Sequence, residues 1–254
     1  MSALPTYSAI FDYAAQPKVD LRHCPVCGRY NLAHQQVDRF GYEIGASACV
    51  CGVSYLNPRM TTEAYAQFYA SGAYRALIQA KYPQNGAARR AAVQSQYGAM
   101  LAIHLKHRGV ASRVDLLDAG GGTGAVAEAL TRTLPMRSVT VLDPSARELW
   151  AAVDRGYRTI EAPIEQMPTT LGPYGAIICT QTIDHLCEPL EALERLRAVS
   201  KGWFWVDIVE CGWKIDHPLY WTLRGLKEAL RRTGWTVKDT IRLDGGRRAG
   251  VLCG

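Results

Sequence analysis

The sequence has no apolar run long enough to cross a lipid bilayer. Its continuous apolar stretches, such as 176–179 and 203–206, have the length of single strands, whereas a membrane-spanning helix needs about 20 apolar residues. The N-terminus has no basic region followed by an apolar segment, which a secretory signal would require. We therefore expect a cytoplasmic protein with reduced cysteines and no membrane partner.

Long basic runs with interleaved aromatic residues are absent as well. The net charge is a modest +6, and the arginines tend to occur in pairs such as Arg231-Arg232. A nucleic-acid partner is therefore not favoured. With 254 residues, the chain can form one full core and one small additional module.

A glycine-rich loop is the most informative segment that the sequence does contain. An apolar run at 114–117 predicts a buried strand, Asp118 follows it, and an alanine-rich helix is predicted over 125–134. The loop between them has glycine at every other position, namely at Gly120, Gly122 and Gly124. Because glycine has no Cβ, such a backbone can approach a ligand closely. The spacing differs from the dinucleotide fingerprint G-x-G-x-x-G, although the loop alone could still be a tight connection or hold NAD or FAD.

An acid also ends the next predicted strand, 138–142. Asp143 lies roughly 20 residues after the loop, where a carboxylate can accept hydrogen bonds from both hydroxyls of a ribose. It could instead cap the helix predicted over 146–153. With both acids in place, Asp118-x-Gly-x-Gly-x-Gly resembles motif I of class I S-adenosylmethionine (SAM)-dependent methyltransferases. The resemblance implies that the loop wraps the methionine part of SAM and that Asp143 and Pro144 lie at its ribose.

Strands and helices alternate in the rest of the chain. Strands are predicted at 174–180, 203–209, 235–241 and 248–253, with helices at 189–199 and 222–232 and a turn at Asp244-Gly245-Gly246. We expect an α/β, Rossmann-like class I methyltransferase fold with a mostly parallel seven-stranded sheet, whose ligands bind at the C-terminal ends of the strands. The expected domains are a zinc ribbon (1–60), a helical linker that caps the SAM site (61–108) and the SAM-binding domain (109–254).

Four of the eight cysteines form two short pairs near the N-terminus. They are Cys24, Cys27, Cys49 and Cys51. Zinc favours four tetrahedral thiolates, and two knuckles separated by a hairpin-length loop can supply them. The second pair has one intervening residue where ribbons usually have two, so His23 or His34 could replace a cysteine. We predict a structural zinc ion, with a disulfide or free thiols as alternatives, and no catalytic zinc because four protein ligands leave no open position.

The linker is predicted to be helical, with a break at Pro83 and the Asn85-Gly86 pair. The segment from Cys51 to Thr61, followed by Phe68-Tyr69 and Tyr74-Arg75, resembles the linker of methyltransferases that carry an N-terminal zinc ribbon. This family includes sugar C-methyltransferases that act on nucleotide-linked keto-sugars, and methyltransferases of polysaccharide and natural-product pathways. The resemblance extends from Cys24 to about Val237 and implies a sugar-like acceptor. It also implies that Tyr74 covers the SAM carboxylate, although simple packing is an equal alternative.

The same resemblance assigns residues near the strand ends. It places Ile164 and Glu165 at the adenine, and we include Thr180, at the end of the fourth strand, among the cofactor contacts. Asp184-His185-Leu186 resembles the Glu-His-Leu signature of the family, with aspartate in place of glutamate.

An acid–histidine pair follows the fifth strand. Asp216-His217 matches the pair in the sugar C-methyltransferases whose histidine is assigned as the base. A histidine titrates near neutrality and can remove a proton from the acceptor, and a carboxylate can orient its ring. We therefore expect His217 to be the base, assisted by Asp216, with His185 orienting the substrate. His217 could instead be an ordinary loop residue before proline.

These patterns together predict a SAM-dependent methyltransferase that acts on a small molecule, with a sugar or sugar nucleotide as the first choice, methylated at carbon or oxygen. Two alternatives stay open. One is an RNA methyltransferase whose zinc ribbon binds nucleic acid, and the other is a non-catalytic SAM-binding module that regulates a biosynthetic partner.

Overall fold

The computed structural model describes residues 7–84, 86–209, 212–243 and 247–254. The strands are β1 (Lys18–Val19), β2 (His34–Val37), β3 (Glu43–Ala48), β4 (Val53–Leu56), β5 (Arg59–Met60), β6 (Asp115–Ala119), β7 (Ser138–Asp143), β8 (Arg158–Glu161), β9 (Tyr174–Cys179), β10 (Ser200–Val209), β11 (Leu219–Trp221), β12 (Val237–Leu243) and β13 (Arg248–Cys253). The helices are α1 (Thr62–Ala70), α2 (Ala73–Lys81), α3 (Ala87–His107), α4 (Ala125–Thr133), α5 (Ala146–Asp154), α6 (Pro189–Val199) and α7 (Leu223–Arg232). The predicted turn Asp244-Gly245-Gly246, and Asn85 of the predicted helix break, lie outside the described residues.

A seven-stranded sheet organises the chain, in the order β12-β13-β10-β9-β6-β7-β8. The strands from β10 to β8 are parallel to their neighbours, whereas β13 lies antiparallel between β10 and β12. Parallel neighbours need crossover connections, and the helices between the strands provide them. The predicted mostly parallel, Rossmann-like sheet is therefore confirmed.

Both faces of this sheet are buried. Along β10, Phe204 and Val206 join the apolar cluster that includes residues of α6 and α7. Trp203 and Trp205 join the cluster that includes residues of α3, α4 and α5. Successive side chains of a strand point to opposite faces, so a strand covered on both sides needs a continuous apolar run.

The linker contains three helices rather than the two segments expected. The unpredicted break lies between α1 and α2, where Gly72 has a φ of +80°, in the left-handed region that a helix cannot continue through. The third helix, α3, packs closely against α4. A Cβ on Gly98 would lie 2.4 Å from the carbonyl oxygen of Val126. None of the described helices is both long and apolar enough to span a membrane.

The N-terminal module is a four-stranded antiparallel sheet in the order β11-β4-β3-β2. Its outer strand β11 comes from the C-terminal part of the chain, and no sequence pattern predicted it. Just after β11, the backbone N–H and the hydroxyl of Thr222 both donate to the carbonyl oxygen of Gly52, each at 2.9 Å. The module is thus hydrogen-bonded directly to the start of α7.

Gly98→Ala should destabilise the protein by about 1–3 kcal/mol, because the added methyl group overlaps the backbone of α4. This outcome is opposite to the stabilisation expected for Gly→Ala in an open helix. Gly86→Ala, at the N-cap of the same helix, is the control for a methyl group that meets nothing within 4 Å, and it should cost less than about 1 kcal/mol. Urea unfolding measures both variants, and a more stable Gly98→Ala protein would contradict the packing described.

Candidate functional site

The segments that follow five neighbouring parallel strands carry the predicted site residues. They follow β6, β7, β8, β9 and β10, whose C-terminal ends lie at one edge of the sheet. Ligands of open α/β sheets bind at this edge. The segments are 120–124, 143–145, 164–166, 180–185 and 214–217.

The glycine loop after β6 has an unusual backbone. Gly120, Gly122 and Gly124 have φ values of +73°, +53° and +74°, which side-chain-bearing residues rarely adopt. The Gly122 N–H donates to Oδ2 of Asp143 at 2.9 Å. A carboxylate at the end of β7 therefore fixes the middle of the loop.

Asp118 lies beneath this loop. Its side chain is fully buried, and a Cβ on Gly121 would lie 2.4 Å from its carboxyl carbon. Burial, with a further contribution from Asp143, raises the pKa of Asp118 to about 7. The geometry makes Asp118 a support for the loop. The same contact explains why residue 121 is a glycine, which the alternating glycine spacing did not account for.

Asp143 is not the helix cap. Its Oδ1 accepts from the N–H of Ser145 at 2.9 Å, and the Ser145 side chain in turn caps α5 by accepting from the N–H of Glu148. Burial raises the pKa of Asp143 to about 6, although its two backbone hydrogen bonds oppose the shift. Asp143 and Pro144 are partly exposed at the strand end, and their contact with a ribose stays a prediction.

The residues expected at the adenine lie in a short 3-10 turn after β8. Ile164 is buried in the core. One carboxylate oxygen of Glu165 accepts from the N–H of Cys187 at 3.0 Å, and burial raises the pKa of this acid. Glu165 thus ties the turn to the segment before α6. Thr180 is buried at the end of β9.

His217 is held through both ring nitrogens. Its Nδ1 lies 2.7 Å from Oδ2 of Asp184, and its Nε2 lies 2.9 Å from Nζ of Lys214 and 3.4 Å from Oδ2 of Asp216. Burial lowers the pKa of His217, but the two carboxylates outweigh burial and raise it to about 9. The His217 ring is therefore positively charged at neutral pH. Lys214 was not predicted, because a single lysine in a loop gives no sequence signal.

His185 is neutral at the same pH. Its ring centroid lies 4.3 Å from that of His217, and burial together with this neighbour lowers the pKa of His185 to about 4. Its Nδ1 lies 2.6 Å from the Tyr69 hydroxyl and 3.0 Å from the carbonyl oxygen of Asp216. Because a carbonyl oxygen can only accept, the arrangement favours a proton on Nδ1 and a lone pair on Nε2.

Aromatic side chains of the linker surround this histidine. Tyr69 donates to the carbonyl oxygen of Asp216 at 2.6 Å, and the Tyr74 ring lies 6.0 Å from the ring of His185. Arg75 pairs with Glu148 of α5 at 3.0 Å. The residues around α1 and α2 are therefore close to the predicted catalytic residues, and the SAM contact of Tyr74 stays a prediction.

Buried carboxylate oxygens also lie beside the two histidines. Oδ1 of Asp184 and both side-chain oxygens of Asp216 are buried without a hydrogen bond, as are both oxygens of Asp118 and Oδ2 of Asp239 elsewhere among the described residues. Asp184, His185 and His217 also bring potential metal ligands within 4.8 Å of one another. The Nζ atom of Lys214, close to His217, does not favour a cation there, so hydrogen-bond donors are the better match.

The four N-terminal cysteines converge. Their sulfur atoms all lie within 4.8 Å of one another, with 3.6 Å between Cys24 and Cys51 and 3.4 Å between Cys27 and Cys49. Neither candidate histidine is needed, because His23 pairs with Tyr30 across a β-bridge and His34 is exposed on β2. The tight Cys49-x-Cys51 spacing thus brings both of its sulfurs to the cluster.

Comparison with known proteins identifies the class. Residues 116–202 match the family model described as "Methyltransferase domain", whereas no curated protein matches the sequence. The match and the sheet order together show that the chain carries a methyltransferase domain with the class I SAM-dependent fold. The prediction of a SAM-dependent methyltransferase is confirmed at this general level.

Solved structures agree on the fold. Burkholderia thailandensis 1,6-didemethyltoxoflavin-N1-methyltransferase aligns with a TM-score of 0.60 at 17% identity, over 87% of this chain and 97% of that chain. Synechocystis PCC 6803 magnesium protoporphyrin IX methyltransferase, with bound SAM, has a TM-score of 0.51 at 14% identity, over 63% of this chain and 78% of that chain. A SAM-dependent methyltransferase from Clostridium acetobutylicum has a TM-score of 0.52 at 12% identity, over 62% and 89%.

Asp184→Asn should lower the pKa of His217 by about 1–3, because it removes the negative charge closest to the ring. NMR titration of the histidine C–H signals measures the change. Asp239→Asn is the matched control, since Asp239 contacts His104 at 3.3 Å and should affect that histidine instead. An unchanged His217 titration in Asp184→Asn would contradict the charge arrangement.

Proposed function

We propose that this methyltransferase transfers the methyl group of SAM to a small acceptor rich in hydroxyl groups, with a sugar or sugar nucleotide as the first choice. The observation that carries the proposal is the group of buried oxygens of Asp184 and Asp216 that lack a hydrogen bond. A buried carboxylate oxygen without a donor is costly, and the hydroxyl groups of an acceptor can satisfy it. The Burkholderia and Synechocystis relatives, named for toxoflavin and porphyrin chemistry, support a small-molecule acceptor in general.

The proposed cofactor site uses the glycine loop and Asp143. Bound SAM would supply an electrophilic methyl group on its sulfonium. The open backbone of Gly120, Gly122 and Gly124 would let the methionine part approach, and Asp143 would accept from the ribose hydroxyls. Tyr74, beside His185, would cover the methionine carboxylate of the cofactor.

We further propose that the two histidines act as one unit. Because their rings are in contact, their protonation states are coupled. Asp184 and Asp216 favour the cationic form of His217, which leaves Nε2 of the partly exposed His185 as the lone pair available to an acceptor. The geometry therefore favours His185 for the first proton transfer, and His217, first expected to be the base, for setting the charge beside it.

The cysteine cluster fits a structural zinc ion. A zinc–sulfur distance of about 2.3 Å implies about 3.8 Å between sulfurs of a tetrahedron, close to the distances in the two cysteine pairs. Cys24, Cys27, Cys49 and Cys51 would hold the ion and leave no position open for a substrate. Its contribution would be to stabilise the N-terminal sheet.

The affinity for S-adenosylhomocysteine (SAH) should fall about tenfold between pH 7 and pH 5, because an acid with a pKa of about 6 is mostly protonated at pH 5. Asp143→Asn should weaken binding at pH 7 and flatten this dependence. Calorimetry across the pH range measures both effects. An unchanged affinity in Asp143→Asn would rule out the ribose role of Asp143.

Metal analysis of the protein purified without chelators should find about one zinc ion per chain. Cys49→Ser should lose most of the metal and lower the thermal midpoint, since it removes one thiolate ligand. Cys253→Ser, at a buried cysteine outside the cluster, should keep the metal. Absence of zinc from the unmodified protein would contradict the proposed zinc site.

His185→Gln should reduce methyl transfer by a factor of about 10²–10⁴ while SAH affinity stays within about twofold of the unmodified value, because the variant removes the proton acceptor and leaves the cofactor loop intact. The measurement is SAH production with a panel of sugar nucleotides. His104→Gln, at a histidine paired with Asp239, is the control. Full activity of His185→Gln would exclude it as the base, and RNA binding that weakens steeply with salt would instead support an RNA acceptor.

A further inference from the structure

The first residue beyond Thr180 has an unusual backbone. Gln181 has a φ of +52°, and it is one of two described non-glycine residues with a positive φ, together with Arg113. A left-handed conformation costs a residue with a side chain free energy, and it persists where the surroundings enforce it. Gln181 lies between the end of β9 and the turn that carries Asp184 and His185.

A buried carboxylate holds this conformation. The N–H of Gln181 donates to Oδ1 of Asp207 at 3.0 Å. Asp207 lies on the neighbouring strand β10, and its side chain is completely buried. Burial raises the pKa of Asp207 while Arg248 opposes the shift, and the hydrogen bond from Gln181 can offset part of the backbone strain.

The other oxygen of Asp207 is fixed from the linker. The Tyr97 hydroxyl of α3 donates to Oδ2, and the indole N–H of Trp205 donates to the same atom at 3.4 Å. The Arg248 guanidinium lies 4.2 Å from the centroid of the Tyr97 ring and adds positive charge beside the carboxylate. Asp207 thus joins α3 to the segment that follows β9.

That segment contacts the cofactor loop directly. The Thr182 hydroxyl donates to the carbonyl oxygen of Thr180 at 2.9 Å and lies 3.3 Å from the carbonyl oxygen of Gly120, and the Thr182 carbonyl oxygen accepts from the N–H of His185 at 2.9 Å. A Cβ on Gly120 would lie 2.2 Å from the Thr182 methyl carbon. The backbone conformation of Gln181 therefore affects the positions of both Thr182 and His185.

We propose that Asp207 and Tyr97 are a positioning pair, which holds Gln181 in its left-handed conformation and thereby fixes segment 180–185 against the cofactor loop. The pair touches neither substrate nor cofactor and acts through Gln181. The proposal rests on the proposed function, since SAM binding gives the positioned loop its role.

Two readouts test the pair in the full-length protein. Asp207→Asn keeps the side-chain size but removes the charge, so the Gln181 amide should exchange with solvent about fivefold to tenfold faster, and the dissociation constant of SAH should rise by a similar factor. Tyr97→Phe should also raise both the exchange rate of the Gln181 amide and the dissociation constant of SAH. Asp239→Asn, which removes a different contact of α3 through His104 and Arg108, should change each by less than about twofold.

A double-mutant cycle separates positioning from general packing. Glycine adopts a positive φ without strain, so Asp207→Asn should raise the SAH dissociation constant by less than about twofold in a Gln181→Gly background. An equal effect in both backgrounds, or unchanged exchange at Gln181 in Asp207→Asn, would overturn the proposal. If the unmodified protein does not bind SAH, the proposed function fails, while amide exchange still decides whether Asp207 holds Gln181.

Discussion

Burial of negative charge at one edge of the sheet is the constraint on which the rest of the site depends. A carboxylate that leaves water must find hydrogen-bond donors or partners of opposite charge. The loops beyond the strands are shaped by this requirement: Gly122 and Ser145 donate to Asp143, Gln181 donates to Asp207, and His217 pairs with Asp184. Asp118 satisfies this requirement differently: burial raises its pKa to about 7, which favours the uncharged acid.

The hydrogen bonding of the buried acids differs between the two sides of the site. On the proposed cofactor side, Asp143 accepts from the N–H groups of Gly122 and Ser145, which fixes the middle of the glycine loop. On the proposed acceptor side, the oxygens of Asp216 form no hydrogen bond among the described residues, and Nε2 of His217 lies 3.4 Å from one of them. A glycine loop fixed beside carboxylates and histidines suits the proposed methyl transfer, where orientation of two bound molecules supplies much of the acceleration.

Local patterns predicted most of the fold. Apolar runs identified the strands, and alternating glycines identified the loop, because strand burial and positive φ values depend on neighbouring residues in the chain. Contacts between distant residues were missed. β11 pairs with β4 across more than half of the chain, and Asp207 holds Gln181 from another strand. The protonation states of His185 and His217 likewise depend on a cluster assembled from separate segments, which no local pattern specifies.

A crystal structure of the SAH complex tests the central claim most directly. The account predicts that the ribose hydroxyls contact Asp143, that the methionine part follows the glycine loop, and that the sulfur faces His185 and Asp216. SAH bound with its ribose away from Asp143, or with its sulfur turned away from the histidine pair, would contradict the account.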